Sequence, residues 1–326
     1  MRRAPPSLPK HQQGALLILL VIALGILAAT VFVSMLSSSD IQNKRDKQTA
    51  AALAEAKAAL IGYAASDTNR PGELPCPDYD GDGKITIPGD YNGSACKSYT
   101  GRLPWISLGL PDLRDGYGER LWYAVSVNFH ANSTAQVNSN VPGQLSIGGI
   151  SPANNVIAIV FAPGPPLSGQ VRDATHVNDP TSYLEGNNAL GLSNTNFTTA
   201  NASATFNDRL LPITNANLFP AVEKRIAGEI IGTDTPTIGL RGYYMSPGYY
   251  PYAGDSSGNE QSGYLSGYVP YNSLSFTSAT KNMLISNNWF GVTSYQVTIS
   301  RDSAQLGLKY CTVTTTSGKQ GVPVCH

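Results

Sequence analysis

The sequence contains few charged side chains. Asp, Glu, Lys and Arg make up 13% of its 326 residues, which is about half of their usual share in soluble domains. The 22 basic and 22 acidic residues give a net charge of zero, so no positive field would attract a nucleic acid. The composition therefore argues against a nucleic-acid partner and favours a domain that works outside the cytoplasm.

Catalytic groups are also scarce. The chain has only four histidines, and one of them, His326, is the last residue. The string GDSSG at 254–258 resembles the nucleophile segments of two hydrolase classes, but it follows no convincing strand. Neither His130 nor His176 lies in a matching signature, and no phosphate-binding loop, dinucleotide fingerprint or zinc spacing is present. We predict that the protein is not an enzyme.

Near the N-terminus, one long stretch lacks charged residues and a longer one lacks proline. No charged residue stands between Lys10 and Asp40, and no proline stands between Pro9 and Pro71. The apolar stretch 15–36 has 22 residues, which as a helix would measure about 33 Å and span a bilayer. It is longer than the apolar part of an ordinary cleavable secretory signal.

Basic residues precede this apolar stretch, at Arg2, Arg3 and Lys10. By the positive-inside tendency they predict a cytoplasmic N-terminus and an exported C-terminal part. A secretory signal cut at the triple serine 37–39 is an alternative, and it would give a released, soluble product.

Helix-compatible sequence continues beyond the apolar stretch. Small and apolar positions recur there at steps of three and four residues: Thr49, Ala52, Leu53, Ala56, Leu60, Tyr63 and Ala64. This spacing is typical of one face of an α-helix. We therefore predict one helix from about Ala15 to Ala65, apolar all round in its first half and amphipathic in its second.

The order of these features resembles the type IV pilin and type II secretion pseudopilin superfamily. A short basic leader ends in Gly14, and an apolar start and an amphipathic extension lead to an exported head. In that family a prepilin peptidase cuts after the glycine, the new N-terminus is methylated, and the helices pack into a filament core. The resemblance implies a cut between Gly14 and Ala15. It also implies other pilin or pseudopilin subunits, prepilin peptidase and the bacterial inner membrane as partners.

The chain departs from the family pattern beside the cut. The family usually has phenylalanine directly after the cut and glutamate at the fifth position, where this chain has Ala15 and Leu19. The large K-type pseudopilin that caps the secretion pseudopilus shares this departure. The head strings AKAALIGYAA, RPGELPCPD, GRLPWISLGL and RDGYGERLWYAVS also resemble a set of bacterial pilin-like proteins. The resemblance implies a minor subunit at the tip or initiating complex of a type IV pilus or type II secretion pseudopilus.

Together these features predict an α+β fold with a long N-terminal α-helix, first membrane-spanning and then amphipathic, and a β-rich, loop-rich globular head. The predicted segments are a basic leader at 1–14, a stem helix at 15–66 and a pilin-like head at 67–326. The predicted location is the inner membrane for the precursor, with its head in the periplasm. The assembled subunit would then lie in an extracellular pilus or a periplasmic pseudopilus.

Within the head, short apolar runs predict buried strands at LWYAVSV and NVIAIVFA. The run TSYQVTIS alternates Tyr295, Val297 and Ile299 on one face. The string FPAVEKRIAGEI at 219–230 predicts a helix with Pro220 in its first turn.

Tyrosines are concentrated between Tyr243 and Tyr271, which contain 8 of the 17 in the chain. Tyrosine suits recognition surfaces, so this segment either binds a sugar, a cell surface or a neighbouring subunit, or packs on its own head. The alternative function is accordingly a membrane-anchored adhesin or carbohydrate-binding protein whose helix is only a stalk.

The four cysteines all lie in the predicted head, at Cys76, Cys96, Cys311 and Cys325. An even number in an oxidising compartment predicts two disulfides. Each sequential pair brackets a turn-rich segment, so we favour the local pairing, worth about 3 kcal/mol for each bond. The second pair resembles the disulfide-bounded C-terminal region of many pilins. Free buried cysteines are the alternative.

An acidic string between the first two cysteines, DYDGDGKITIPGD, matches the opening of an EF-hand-type calcium loop. The candidate calcium ligands are Asp78, Asp80, Asp82, the carbonyl of Lys84, Thr86 and Asp90. The twelfth position, normally a bidentate glutamate, is Gly89, and no flanking helix pair is evident. The alternative is an exposed acidic turn in which Asp side chains accept hydrogen bonds from nearby amides.

Overall fold

The computed structural model describes residues 12–131, 134–191 and 194–326, without the side chains of residues 12–19 and 28–38. The helices of this part are α1 (Gln12–Ser66), α2 (Asn215–Ile231), α3 (Gly239–Tyr244), α4 (Ser278–Ser286) and α5 (Trp289–Val292). Short 3-10 helices lie at Val127–Phe129, Pro180–Ser182 and Gly186–Leu190.

The strands of the described residues form three sheets. The first seven are β1 (Tyr91–Asn92), β2 (Ala95–Cys96), β3 (Thr100–Arg102), β4 (Trp122–Val125), β5 (Leu145–Gly149), β6 (Ala153–Ala162) and β7 (Asn196–Thr199). The others are β8 (Arg209–Thr214), β9 (Ser266–Tyr268), β10 (Ser294–Val297), β11 (Ser303–Gly307), β12 (Cys311–Thr316) and β13 (Val324–Cys325).

The chain divides into two compact units, Met1–Gln48 and Thr49–His326. The division falls inside α1. In its described part the first unit consists of helix alone, whereas the second contains the end of α1 and all the other helices and strands.

The fold prediction was wrong about the membrane-spanning helix. A helix does occupy the predicted region, and it begins at Gln12, before the expected start at Ala15. Within the described residues, however, none of the helices has the length and apolar character needed to cross a membrane. The α+β class itself fits in part, because helices and several sheets are both present.

The end of α1 is amphipathic, as its sequence predicted. The predicted stripe is at most 6% exposed at Thr49, Ala52, Leu53, Ala56, Leu60 and Ala64, while Tyr63 is half-buried. The apolar members of the stripe belong to the main core, together with apolar side chains of α2 such as Val222 and Ile226. This part of α1 is therefore an integral element of the second unit.

The largest sheet has six strands and is buried on both faces. Its order is β3-β4-β6-β5-β7, and β8 also pairs with β6; all pairs are antiparallel except β5 with β7. Along β6, Ala158 and Val160 enter the main core, whereas Ile159 and Phe161 enter a second apolar cluster. Because successive side chains point to opposite faces, burial of both faces explains the unbroken apolar run in the sequence.

A second, antiparallel sheet has five strands in the order β13-β12-β11-β10-β9. In β10, Tyr295 and Val297 are buried as predicted. The prediction for Ile299 was wrong, since that side chain is 86% exposed. The strand ends at Val297, and a turn closed by the hydrogen bond from Arg301 N to the Thr298 carbonyl at 2.9 Å carries Ile299 away from the sheet.

The helix α2 begins earlier than the sequence predicted. It starts at Asn215 rather than at residue 219, so Pro220 lies inside the helix and not in its first turn. The cause is an N-terminal cap, in which the Thr214 backbone N–H donates to Asn217 Oδ1 at 3.1 Å. Such a cap satisfies a backbone donor at the helix start.

The two predicted disulfides are confirmed, with the local pairing. Cys76 is bonded to Cys96 and Cys311 to Cys325, and no described cysteine is free. The second bond joins directly opposed residues of β12 and β13. The first brackets the acidic string and joins it to β2.

Candidate functional site

The described residues of the first unit carry a large exposed apolar surface. Six side chains on two helical turns are 52 to 62% exposed: Leu20, Val21, Ile22, Leu24, Ile26 and Leu27. Their positions cover the helix on all sides. Contiguous exposed apolar surface of this kind marks an interaction site, since burial of each such side chain is worth about 1.5–3 kcal/mol.

The predicted cleavage site lies at the start of this helix. Gly14 and Ala15 belong to α1, but the side chains of Ala15 and Leu19 lie outside the described residues, as do residues 1–11. Cleavage after Gly14 therefore stays a prediction.

The acidic loop, defined here as residues 78–90, is organised around the buried carboxylate of Asp78. This side chain accepts hydrogen bonds from Gly81 N at 2.6 Å and from Gly83 N at 2.7 Å. Both glycines have positive φ, +80° and +83°, a conformation that costs other residues more. Burial raises the pKa of Asp78 to about 6, although the bonds from Gly83 and Gly81 act in the opposite direction.

Three of the six predicted calcium ligands converge in this loop. Carboxylate oxygens of Asp78, Asp80 and Asp82 lie within 4.8 Å of one another, with Asp80 and Asp82 exposed. Two further bonds hold the turn, because Asp82 N donates to Asp80 Oδ1 at 3.3 Å and Lys84 N donates to Asp82 Oδ1 at 2.7 Å. These side-chain-to-amide bonds are those of the acidic-turn alternative, so the same geometry suits both interpretations.

Asp90, a candidate calcium ligand in the sequence, holds the acidic loop together through hydrogen bonds. It is fully buried, and its carboxylate accepts from Tyr79 N at 2.7 Å and from Thr86 N at 2.7 Å. The Thr86 hydroxyl also donates to it at 3.2 Å. Asp90 thus ties the end of the loop to its beginning, and it does not join the cluster of three carboxylates.

The tyrosine-rich segment is partly core and partly surface. Tyr250 is fully buried, with its hydroxyl 2.8 Å from Thr315 Oγ1. Tyr249 is 40% exposed and stacks on the Arg301 guanidinium, 4.0 Å from its ring centre. Tyr264 and Tyr268 are 62% and 41% exposed. The segment therefore packs on its own head while it presents three aromatic rings to solvent.

The two histidines that the hydrolase-like string would require have local partners. His130 is 4% exposed, and its Nδ1 lies 2.5 Å from the Ala131 carbonyl oxygen. His176 is paired with Asp173 at 2.7 Å. The string itself forms a turn in which Asp255 Oδ1 accepts from Ser257 N at 2.9 Å.

A cavity of about 300 Å³ lies beside the acidic loop and was not predicted. Its wall includes Tyr79, Thr100, Arg102, Asn178 and Leu190. These residues come from three distant parts of the chain, and no spacing in the sequence marks them as neighbours.

Comparisons with protein-family models, with curated proteins and with solved structures give no match for this chain.

Proposed function

We propose that the protein is a non-catalytic, pilin-like subunit that joins a filament through α1. The observation that carries this proposal is the apolar surface of residues 20–27, which is more than half exposed at its large side chains. Packing against equivalent helices of other subunits would remove that surface from water. The proposed partners are therefore other pilin or pseudopilin subunits, and the head stays outside the helical core.

Processing by prepilin peptidase after Gly14 is part of the proposal. The cut would leave Ala15 as the mature, methylated N-terminus and would bring the apolar residues to the very start of the helix. Removal of the basic leader makes burial in an apolar core less costly, because an unpaired charge in such a core is strongly unfavourable.

A minor position at the tip or initiating complex follows from Leu19. The family's glutamate at this place would pair with the N-terminus of a neighbouring subunit, and leucine offers no charge for that contact. A subunit without this glutamate would assemble poorly at repeated positions along the filament shaft, but it could still occupy the tip.

An extracytoplasmic head is supported by the two disulfides. Such bonds persist in the periplasm and outside the cell, and are rare in the cytosol.

Site-specific photo-crosslinking in the native host tests the assembly. Ile26 and Ile150 are matched positions, 60% and 59% exposed, on α1 and on the head surface. A photoreactive residue at position 26 should crosslink to other pilin-like subunits, whereas one at position 150 should not. Absence of such products at position 26, or equal yields at both positions, would contradict assembly through α1.

Calcium binding by the acidic loop is a second proposal, favoured by the convergence of Asp78, Asp80 and Asp82. Calcium takes six to eight oxygen ligands, so carbonyl groups or water would complete the shell. Its role would be to hold the loop in one conformation next to the Cys76–Cys96 disulfide.

A further inference from the structure

Side chains of the types that bind zinc meet at the first disulfide. Both sulfur atoms of Cys76–Cys96 and a ring nitrogen of His130 lie within 4.8 Å of one another. The three residues belong to the second unit and are at most 5% exposed. Among the described residues, the other disulfide, Cys311–Cys325, belongs to no such group.

Backbone hydrogen bonds hold His130 next to the segment that leads to Cys76. Leu74 N donates to the Phe129 carbonyl at 2.7 Å, and Ala131 N donates to the Leu74 carbonyl at 2.8 Å. The histidine is therefore placed by a short strand-like pairing and not by the disulfide. This placement does not require the sulfur atoms to be bonded to each other.

The hydrogen bond to the His130 ring selects the tautomer that a metal ligand needs. Nδ1 lies 2.5 Å from the Ala131 carbonyl oxygen, and a carbonyl only accepts, so Nδ1 carries the proton. Nε2 then has a free lone pair, and none of the described residues donates to it. Histidines that bind metal ions usually donate their other ring N–H to a carbonyl or a carboxylate in this way.

The spacing of the three ligand atoms suits a zinc ion once the disulfide is open. Zinc lies about 2.3 Å from a thiolate sulfur and about 2.0–2.1 Å from an imidazole nitrogen, so tetrahedral ligand atoms are roughly 3.5–3.8 Å apart. The two cysteine Cα atoms are 5.5 Å apart. Rotation about each Cα–Cβ bond can therefore separate the sulfur atoms to that distance without movement of the backbone.

The charges of these ligands also suit a buried divalent cation. Two thiolates balance the charge of Zn²⁺ and a neutral imidazole adds none, so the complex buries no net charge. The two thiol protons are released to solvent when the metal binds. Zinc prefers thiolate and imidazole ligands, whereas calcium prefers oxygen, so this group differs in chemistry from the three carboxylates of the acidic loop.

We infer that the head, before its first disulfide forms, binds one Zn²⁺ through Cys76 Sγ, Cys96 Sγ and a ring nitrogen of His130, with water as the fourth ligand. This inference does not rest on filament assembly. A disulfide-bonded oxidant then converts the site: the two thiolates lose one electron each and bond to each other, the oxidant is reduced to two thiolates, and zinc leaves.

The zinc site would guide the pairing of the cysteines. Four cysteines allow three pairings, and a shared zinc ion keeps Cys76 and Cys96 together and away from Cys311 and Cys325. The metal and the disulfide thus hold the same two segments at successive stages.

Zinc titration of the purified full-length protein against a chromophoric chelator tests the inference. A phosphine reductant opens the disulfides, taking an oxygen atom from water and leaving two protons on each pair of thiols. The reduced protein should bind one zinc ion per chain, and the oxidised protein should bind it roughly tenfold more weakly or worse. The double variant Cys311→Ser, Cys325→Ser should keep the site, whereas Cys76→Ser, Cys96→Ser should lose it.

A histidine variant separates this site from zinc binding by thiols alone. His130→Asn keeps an N–H donor for the Ala131 carbonyl and removes the imidazole, so zinc binding should weaken by roughly tenfold or more. His176→Asn, at a histidine whose side chain is 43% exposed, is the matched control and should leave binding unchanged. If His130→Asn does not fold, X-ray absorption of the zinc-bound parent protein replaces it and should show two sulfur ligands and one imidazole.

Near-ultraviolet circular dichroism separates a site in the folded head from capture of zinc by an unfolded chain. The reduced, zinc-bound protein should have the spectrum of the oxidised protein. The inference is overturned if the reduced protein binds no zinc or is unfolded with zinc bound, or if Cys76→Ser, Cys96→Ser binds as the parent does. It is equally overturned if folded His130→Asn binds as the parent does, or if X-ray absorption shows no imidazole.

Discussion

Arg225 of α2 donates from Nη1 to the carbonyl oxygen of Ala65, at 2.9 Å, and also to the carbonyl of Asp67. Ala65 lies in the last turn of α1, which contains no basic residue of its own. The last carbonyls of a helix lack partners within it, and a cation there also opposes the negative end of the helix dipole. The head thus supplies the C-terminal cap of the stem helix.

Replacement of Arg225 should destabilise the head, because the carbonyl groups of Ala65 and Asp67 would lose their hydrogen bonds to its guanidinium. Arg225→Met keeps the length of the side chain and removes its charge-assisted hydrogen bonds, which should cost about 1.5–3 kcal/mol of unfolding free energy. Lys224→Met is the control, because Lys224 is the exposed neighbouring cation on the same helix. Chemical denaturation measures both. Equal losses in the two variants would show that the Ala65 contact contributes nothing specific.

Calcium should raise the melting temperature of the protein if the acidic loop binds it. A ligand that binds only the folded state adds about 2.7 kcal/mol at a hundred times its dissociation constant. Asp80→Asn together with Asp82→Asn should remove the gain, whereas Asp302→Asn, at an exposed acidic residue outside the loop, should keep it. A melting curve that is unchanged at millimolar calcium would leave the acidic-turn interpretation.

Buried carboxyl groups should make the head less stable as the pH rises from about 4 to 7. Burial raises the pKa of Glu73 to about 7, and that of Asp78 to about 6. Burial also raises the pKa of Asp208, and the neighbouring Glu185 adds to this effect. Such a group holds its proton more tightly in the folded state, so each contributes a loss of stability between its unfolded pKa and its folded pKa.

Glu73→Gln isolates one of these contributions. The unfolding free energy of the parent protein, measured by denaturation between about pH 4.5 and 7, should fall relative to that of the variant across this interval. The variant retains a polar group beside Arg70, whose Nη1 lies 2.8 Å from Glu73 Oε2 in the parent. Parallel pH curves would show that Glu73 titrates alike in the folded and unfolded states.

Local patterns in the sequence predicted part of the fold correctly. The three-and-four spacing from Thr49 to Ala64 gave the buried face of α1, because a helix buries one side whatever packs on it. The turn-rich segments between sequential cysteines likewise gave both disulfides. These features depend on neighbours that are close in sequence.

A turn, a helix cap and a cavity between distant segments were missed. Ile299 continued an alternating pattern, but the turn at Thr298 and Arg301 ended the strand two residues before it. Pro220 looked like a helix start, while the cap at Thr214 had already begun the helix. The cavity joins Thr100 to Asn178 through the packing of separate segments, for which a single sequence contains no periodic signal.

The mature N-terminus tests the proposed function most directly. Mass spectrometry of the protein isolated from its native host should find a chain that begins at a methylated Ala15, and Gly14→Leu should prevent the cut. This result requires recognition of the leader by prepilin peptidase, which a stalk-anchored adhesin or a secreted product would not undergo. A mature chain that retains Met1, or that begins after the serines at 37–39, would contradict the account.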